Sequence, residues 1–262
     1  MKKGILLMAA AATMLLTACS KGVREQIDFE VVTKDVKQPL TEEKGAPECQ
    51  LHFQILQAAG NKSEQAKAIN RHIVKKIFDF DGDIAINAAV DSFANRYVGD
   101  YLRTLRPLYR EERGDEKRHP WYEYRYSVTT EVQDGREGVA VYLITLDCFE
   151  GGAHGINQLL TLNFDVKTGK LLTLRDVFVK GYETPLNELL LEALEKHVGV
   201  TDLKGLREND YLYSMDIFAS EHFILGEDGI TFIYNPYEIA PYAMGKTEIT
   251  LSYGEIEELL KK

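Results

Sequence analysis

From residue 48 onward the chain switches between two hydrophobic periods, and each switch marks an element. Glu48 to Leu56 alternates polar and apolar positions and predicts a strand, broken at Gly60-Asn61. Ser63 then offers an N-cap, and Ala66, Ile69, Ile73, Val74, Ile77 and Phe78 recur at helical spacing as one apolar stripe. After Asp81-Gly82-Asp83 a second stripe, Val90, Phe93, Ala94, Tyr97, Val98, Tyr101, Leu102 and Leu105, predicts a helix ending near Pro107. Arg110 to Arg118 is charged and reads as a loop.

Beyond that loop the period falls to two. Trp121 to Val132 and Gly138 to Cys148 read as strands joined by a hairpin at Asp134-Gly135, and Asn157 to Val166 with Lys170 to Leu174 as another around Lys167-Thr168-Gly169. Thr184-Pro185 opens a helix whose stripe is Leu186, Leu189, Leu190, Ala193, Leu194 and His197, stopped by Gly199. Phe223 to Leu225, Ile230 to Tyr234 and Thr247 to Ser252 are strand-like, and Glu255 to Leu260 reads as a short terminal helix. Strands and helices in runs, without βαβ alternation, predict an α+β fold of antiparallel sheets packed with helices. The Gly-rich break at Glu150-Gly151-Gly152 suggests two subdomains, 48–150 and 151–262.

The first twenty residues follow different rules. Met1-Lys2-Lys3 is a positive start and Ile5 to Leu16 an apolar run too short to cross a bilayer, which is the pattern of an export signal over residues 1–18. It ends in Leu16-Thr17-Ala18-Cys19, similar to the lipobox of bacterial lipoproteins; the similarity implies cleavage after Ala18 and lipidation of Cys19. Two or more acyl chains make a stable membrane anchor. Residues 19–47, polar and rich in Lys, Glu, Gln, Gly and Pro, then read as a tether.

Charge narrows the choice of partner. The chain carries 31 Lys+Arg against 41 Asp+Glu, a net −10, and loss of Lys2 and Lys3 with the signal makes it −12. With no basic run longer than Lys75-Lys76 in its body, nucleic acid is excluded as a partner. An acidic body suits a basic protein such as a lysozyme and leaves the lipid as the contact with the membrane; cell-wall glycan is the other candidate partner. Export also bears on the remaining cysteines, Cys49 and Cys148, both on apolar strand faces; a disulfide and a pair of buried free thiols both fit.

Three phrases carry a family resemblance. Glu150-Gly151-Gly152-Ala153-His154-Gly155, then Leu162-Asn163-Phe164-Asp165 with Thr168-Gly169-Lys170 and Leu174-Arg175-Asp176-Val177-Phe178, then Tyr237-Glu238-Ile239-Ala240-Pro241-Tyr242-Ala243-Met244-Gly245, resemble the extracellular domain of the RsiV-type anti-sigma factors. The upstream half, with Asn70 in its first helix, is similar to that domain's companion. The resemblance implies a two-subdomain α+β module outside the cell membrane, in the best-known member a receptor for lysozyme. In a peptidoglycan deacetylase the same pair precedes a catalytic domain, so an enzyme or enzyme accessory acting on peptidoglycan is the rival to a non-enzymatic binding protein. Neither the transmembrane signalling half nor the catalytic half is expected here.

Candidate chemistry is sparse. His154 lies in a glycine-rich turn where Glu150 could orient it, and Gly152, Tyr237 and Tyr242 complete the candidate binding set. Asp79, Asp81 and Asp83 occupy the first three ligand positions of a calcium loop, but Ile84 and Val90 stand where its Gly and Glu belong, which favours a turn. Ala240 to Thr247 fits a loose phosphate-loop pattern, yet Pro241 removes an amide and the residues after Lys246-Thr247 alternate as a strand. The six histidines are scattered, with no metal-ligand spacing, and no serine-hydrolase motif occurs; no metal, cofactor or catalytic residue is assigned. Trp121, Tyr122, Tyr124 and Tyr126 crowd one strand and read mainly as core.

Overall fold

Alternation of exposed and half-buried positions begins at Phe29, inside the stretch whose composition resembles a tether. In the computed structural model, which describes residues 27–60, 63–112 and 116–262, Phe29–Pro39 forms a strand, β1, antiparallel to β2 (Glu48–Ala58). The tether assigned to residues 19–47 is therefore corrected over this stretch. Phe29, Val32 and Val36 turn to the core, the Lys34 stem lies beside them with its ammonium on Asp91, and most other positions are polar because this is an edge strand, Val31 being an exposed exception. The signal over 1–18 and Cys19 lie outside the described residues.

Two helices connect β2 to its other neighbour. In α1 (Glu64–Phe78) the Ser63 hydroxyl accepts from the Ala66 amide, and the predicted stripe of Ala66, Ile69, Ile73, Val74, Ile77 and Phe78 is buried. α2 (Ile86–Glu111) runs on past Pro107. The carbonyl that loses its partner to the proline belongs to Arg103, on the exposed face where water can satisfy it, so the helix continues. This double crossover returns the chain to the same end of the sheet, and β3 (Tyr124–Asp134) pairs with β2 in parallel, an exception to the antiparallel expectation.

β4 (Val139–Glu150), β5 (Ile156–Asp165) and β6 (Leu171–Leu172) follow as antiparallel neighbours, completing a six-stranded sheet in order β1 to β6. The boundary drawn at residues 150/151 is thus corrected: it falls on the β4–β5 hairpin, inside one sheet. The two cores divide by sheet face instead. On one face α1 and α2 cover Leu51, Phe53, Ile55, Val128, Tyr142 and Ile144. On the other face, Val139 and Val141 pack against a C-terminal lobe. That lobe contains α3 (Leu174–Val177), α4 (Glu183–Val198), α5 (Leu203–Glu208) and a three-stranded antiparallel sheet of β7 (Phe223–Leu225), β8 (Gly229–Tyr234) and β9 (Thr247–Ser252).

Buried amides tie the lobe to the large sheet. Asn163, 1% exposed, donates from Nδ2 to the Phe223 carbonyl at 2.8 Å and accepts from the Leu225 amide at 3.0 Å. Asn235, 2% exposed, does the same for both backbone groups of Leu159, accepting at 2.7 Å and donating at 3.1 Å. Each side chain substitutes for a residue of a neighbouring strand, so groups that would be orphaned where the two sheets meet are satisfied.

The cysteine question is settled by register. Cys49 pairs with Tyr124 on one side of β3 and Cys148 with Tyr126 on the other, so two strand spacings and two residues along the strand, roughly 12 Å in all, separate them. A disulfide needs Cα atoms within about 7 Å, and both are free thiols. Burial, with a contribution from the Glu150 charge, pushes Cys49 up to about 12 and Cys148 up to about 11, which keeps them protonated and unreactive.

Candidate functional site

The face of the large sheet that carries the C-terminal lobe is only partly covered. Over β1 to β5, away from the lobe, its side chains form polar rows across the strands: Lys37, Gln50 and Arg125, then Asp35, His52, Ser127, Asp147 and Asn157, then Thr33, Gln54, Thr129 and Thr145. None of these is buried. They are linked among themselves, His52 to Asp35 at 2.7 Å and Asn157 to Asp147 at 2.5 Å, and the Arg125 guanidinium lies over the Phe149 ring at 4.9 Å. Two grooves of about 340 and 310 Å³ share Arg125 and Ser127 and together make one trough across the face.

At the far end of the trough stands an aromatic platform. Tyr242, in a 3₁₀ turn (Tyr242–Met244), overhangs the sheet and closes the second groove with Ile156 and Asn157. His154 stacks on it, centroids 3.9 Å apart and planes 18° from parallel, and Tyr237 flanks both at 6.4 and 5.9 Å. The rings come from the β4–β5 turn and the β8–β9 connection, so closing the sheet against the lobe assembles them. His154 Nδ1 donates to the Gly155 carbonyl at 3.0 Å, and Nε2 lies 3.3 Å from the Tyr237 hydroxyl. All three rings reach solvent; Tyr237 is 60% exposed.

Two backbone features hold the platform. Tyr237 sits at φ +74°, a conformation that costs a non-glycine residue about 1–2 kcal/mol, while its amide bonds to the Ala240 carbonyl at 3.0 Å. An exposed tyrosine kept in this conformation is the strained feature of the described surface beside the stack. Gly151 has φ +77° and a Cβ there would lie 2.4 Å from the Trp121 carbonyl oxygen, so the turn presenting His154 requires glycine. Gly152, also at positive φ, is exposed and serves the turn.

One expected contact is redirected. Glu150 points to the opposite face of the sheet, where its carboxylate accepts from the Tyr97 hydroxyl at 2.7 Å; it does not orient His154. Strand alternation explains this, since Glu150 shares its face with Cys148 and Tyr126, under α2. The imidazole therefore has a carbonyl and a phenol as partners and no carboxylate, an arrangement for holding a ring in place and not for general base work. Among the described residues no group of three His, Cys, Asp or Glu is placed to hold a metal ion. Asp79 and Asp81 pair with Lys75, and Asp83 with Arg71. In the phosphate-loop-like stretch Lys246 pairs with Glu248 and Thr247 opens a strand.

The sequence singled out His154, Tyr237 and Tyr242, and the fold brings them together. It did not single out the polar rows. Their signal is present at the alternate positions of β2 to β5, which carry Gln, Ser, Thr and Asn where an ordinary solvent face carries Lys and Glu.

Comparison with known proteins agrees with this fold. The family described as "Protein of unknown function (DUF3298)" matches residues 175–254. A crystal structure of a DUF3298 family member from Bacteroides fragilis superposes with a TM-score of 0.81 at 30% identity, covering 90% of this chain and 94% of that one. The chain belongs to the DUF3298 family. A DUF3298 family protein from Pseudomonas aeruginosa shares the fold at 18% identity, TM-score 0.62, over 92% of this chain and 97% of that one. No curated protein matches the sequence. The DUF3298 match includes Tyr237 and Tyr242, whereas His154 and the polar rows lie before it, so the trough spans more than the matched region.

Proposed function

We propose that this DUF3298 protein is a lipid-anchored, non-enzymatic binding module of the bacterial cell envelope, and that its partner is cell-wall glycan. The observation that carries the reading is the open polar trough ending on the exposed His154–Tyr242–Tyr237 platform. A sugar ring has a C–H face that packs on aromatic planes and hydroxyls that need paired donors and acceptors, and the trough offers both. Its charges nearly cancel, with Lys37 and Arg125 against Asp35 and Asp147, which suits an uncharged polymer. The lipobox at Cys19 and the resemblance to RsiV-type extracellular domains support the envelope location.

A basic protein such as a lysozyme is the second reading, favoured by the net charge of −12 expected after cleavage. Calorimetry with soluble peptidoglycan fragments and with lysozymes, at low and high salt, separates the two. Glycan binding that is insensitive to salt and lost in Tyr242→Ala supports the first; salt-sensitive lysozyme binding with no glycan binding replaces it with the second. Fragments released chemically altered by the protein would overturn the non-enzymatic assignment.

A further inference from the structure

A second concave site lies where α1 meets the C-terminal lobe. A cleft of about 660 Å³, in the size range of small-molecule sites, is lined by Lys76 from α1, by β5 and β6, by the start of α3, and by Tyr182 and the 219–223 segment. Leu162, Leu171, Leu172, Leu174 and Phe223 supply its apolar lining. Its charged lining is two cations, Lys76 and Arg175, and one carboxylate, Glu221, a net positive charge of one.

The cations are poorly matched within the protein. Lys76 is half-buried, yet among the described residues its ammonium has neither an ion pair nor a side-chain hydrogen bond; Glu221 and Glu238 act on it only at longer range. The Glu238 carboxylate is engaged by the Asn235 amide at 2.7 Å. The Arg175 side chain is exposed and also unpaired among the described residues. Next to the cleft-lining Glu221 and Phe223, the buried Nδ1 of His222 has no partner either. A half-buried lysine is ordinarily paired, because removing its charge from water is costly without a counter-charge.

We propose that this cleft binds a small monoanion with an apolar body, its carboxylate seated between Lys76 and Arg175 and its apolar part against the lining leucines. A short fatty acid and a peptide ending in an apolar residue share that chemistry. The site is separate from the aromatic platform and stands whether or not the platform binds glycan.

Calorimetry on the intact protein with hexanoate and with N-acetyl-leucine, each beside its neutral counterpart, methyl hexanoate and N-acetyl-leucinamide, tests it. At least one carboxylate binds and its neutral counterpart does not; hexanoate alone points to fatty acids, N-acetyl-leucine alone to peptide termini. Lys76→Met weakens binding about tenfold or more, the value of one charge-assisted hydrogen bond. Because Lys76 is half-buried, Arg175→Gln at an exposed position serves as the second variant, and if Lys76→Met does not fold, its loss of affinity decides the matter. Equal binding of acid and neutral forms, unchanged affinity in the folded variants, or no binding of either acid in the millimolar range overturns the proposal. Tyr242→Ala leaves this binding unchanged, which keeps its outcome distinct from that of the glycan test.

Discussion

Asn163→Asp replaces one NH₂ with an oxygen at the tie between the two sheets. The shape is conserved, and the Leu225 amide keeps its acceptor. The Nδ2 bond to the Phe223 carbonyl is lost, but that carbonyl still accepts from the Thr161 hydroxyl at 2.9 Å, so a missing hydrogen bond is the smaller part of the cost. The larger part is a carboxylate at a position 1% exposed, facing a carbonyl oxygen. Such a group keeps its proton in the folded state well above the unfolded value of about 3.9, and each unit of difference costs about 1.4 kcal/mol at neutral pH. A rise of two to three units gives a loss of roughly 3–4 kcal/mol at pH 7, or a fall in Tm of about 6–16 °C at the 2–4 °C per kcal/mol usual for this chain length. The sign with pH is fixed: the folded variant binds the extra proton, so its deficit relative to wild type shrinks as pH falls, by about 1.4 kcal/mol per unit while the pH stays between the two values. Urea unfolding of both proteins at pH 7 and pH 5 measures this. A deficit that is absent at pH 7, or equal at the two pH values, refutes the buried amide tie.

Four further expectations follow from the same structure. Burial, with the Lys76 charge adding to it, pushes His222 down to about 4, so protonation favours the unfolded chain. Wild-type stability should decline as pH falls from about 6.5 to 4, and His222→Gln should flatten that window in a urea series. Phe53, fully buried among Phe78, Phe93 and Tyr126, should cost about 3–5 kcal/mol on Phe53→Ala by the same assay. Thiol titration after purification without reductant should find Cys49 and Cys148 unreactive in the native protein and free once it is unfolded; a disulfide-linked peptide in mass spectrometry would contradict the register. Tyr242→Ala should change stability by no more than about 0.5 kcal/mol while abolishing partner binding, because the ring is partly exposed and packs chiefly on His154.

Where one face of an element is buried, its pattern was legible. α1 begins at the predicted cap, β9 has the predicted limits, and the hairpins at Asp134-Gly135 and Lys167-Thr168-Gly169 form as read, because stripe, cap and turn residues all agree there. β1 was missed because an edge strand needs only Phe29, Val32 and Val36 inward, and its charged outer positions resemble a linker. The parallel β2–β3 pairing depends on where two helices return the chain, which no local pattern encodes. At the site, the sequence supplied the three rings but attached Glu150 to the wrong neighbour, since adjacency in a strand puts residues on opposite faces only once the strand's phase is known. The trough and the Lys76 cleft join segments up to more than 100 positions apart and become visible only in the folded chain.

If the His154–Tyr242–Tyr237 platform and the trough beside it receive the partner, those rings respond to it directly. Nuclear magnetic resonance of the protein labelled at His and Tyr, titrated with soluble glycan fragments of peptidoglycan, reads those rings individually. The His154, Tyr237 and Tyr242 signals should move together and saturate, while those of buried Tyr101, Tyr142 and Tyr234 stay still. Shifts confined to other residues, or none at saturating fragment, would contradict binding at the platform.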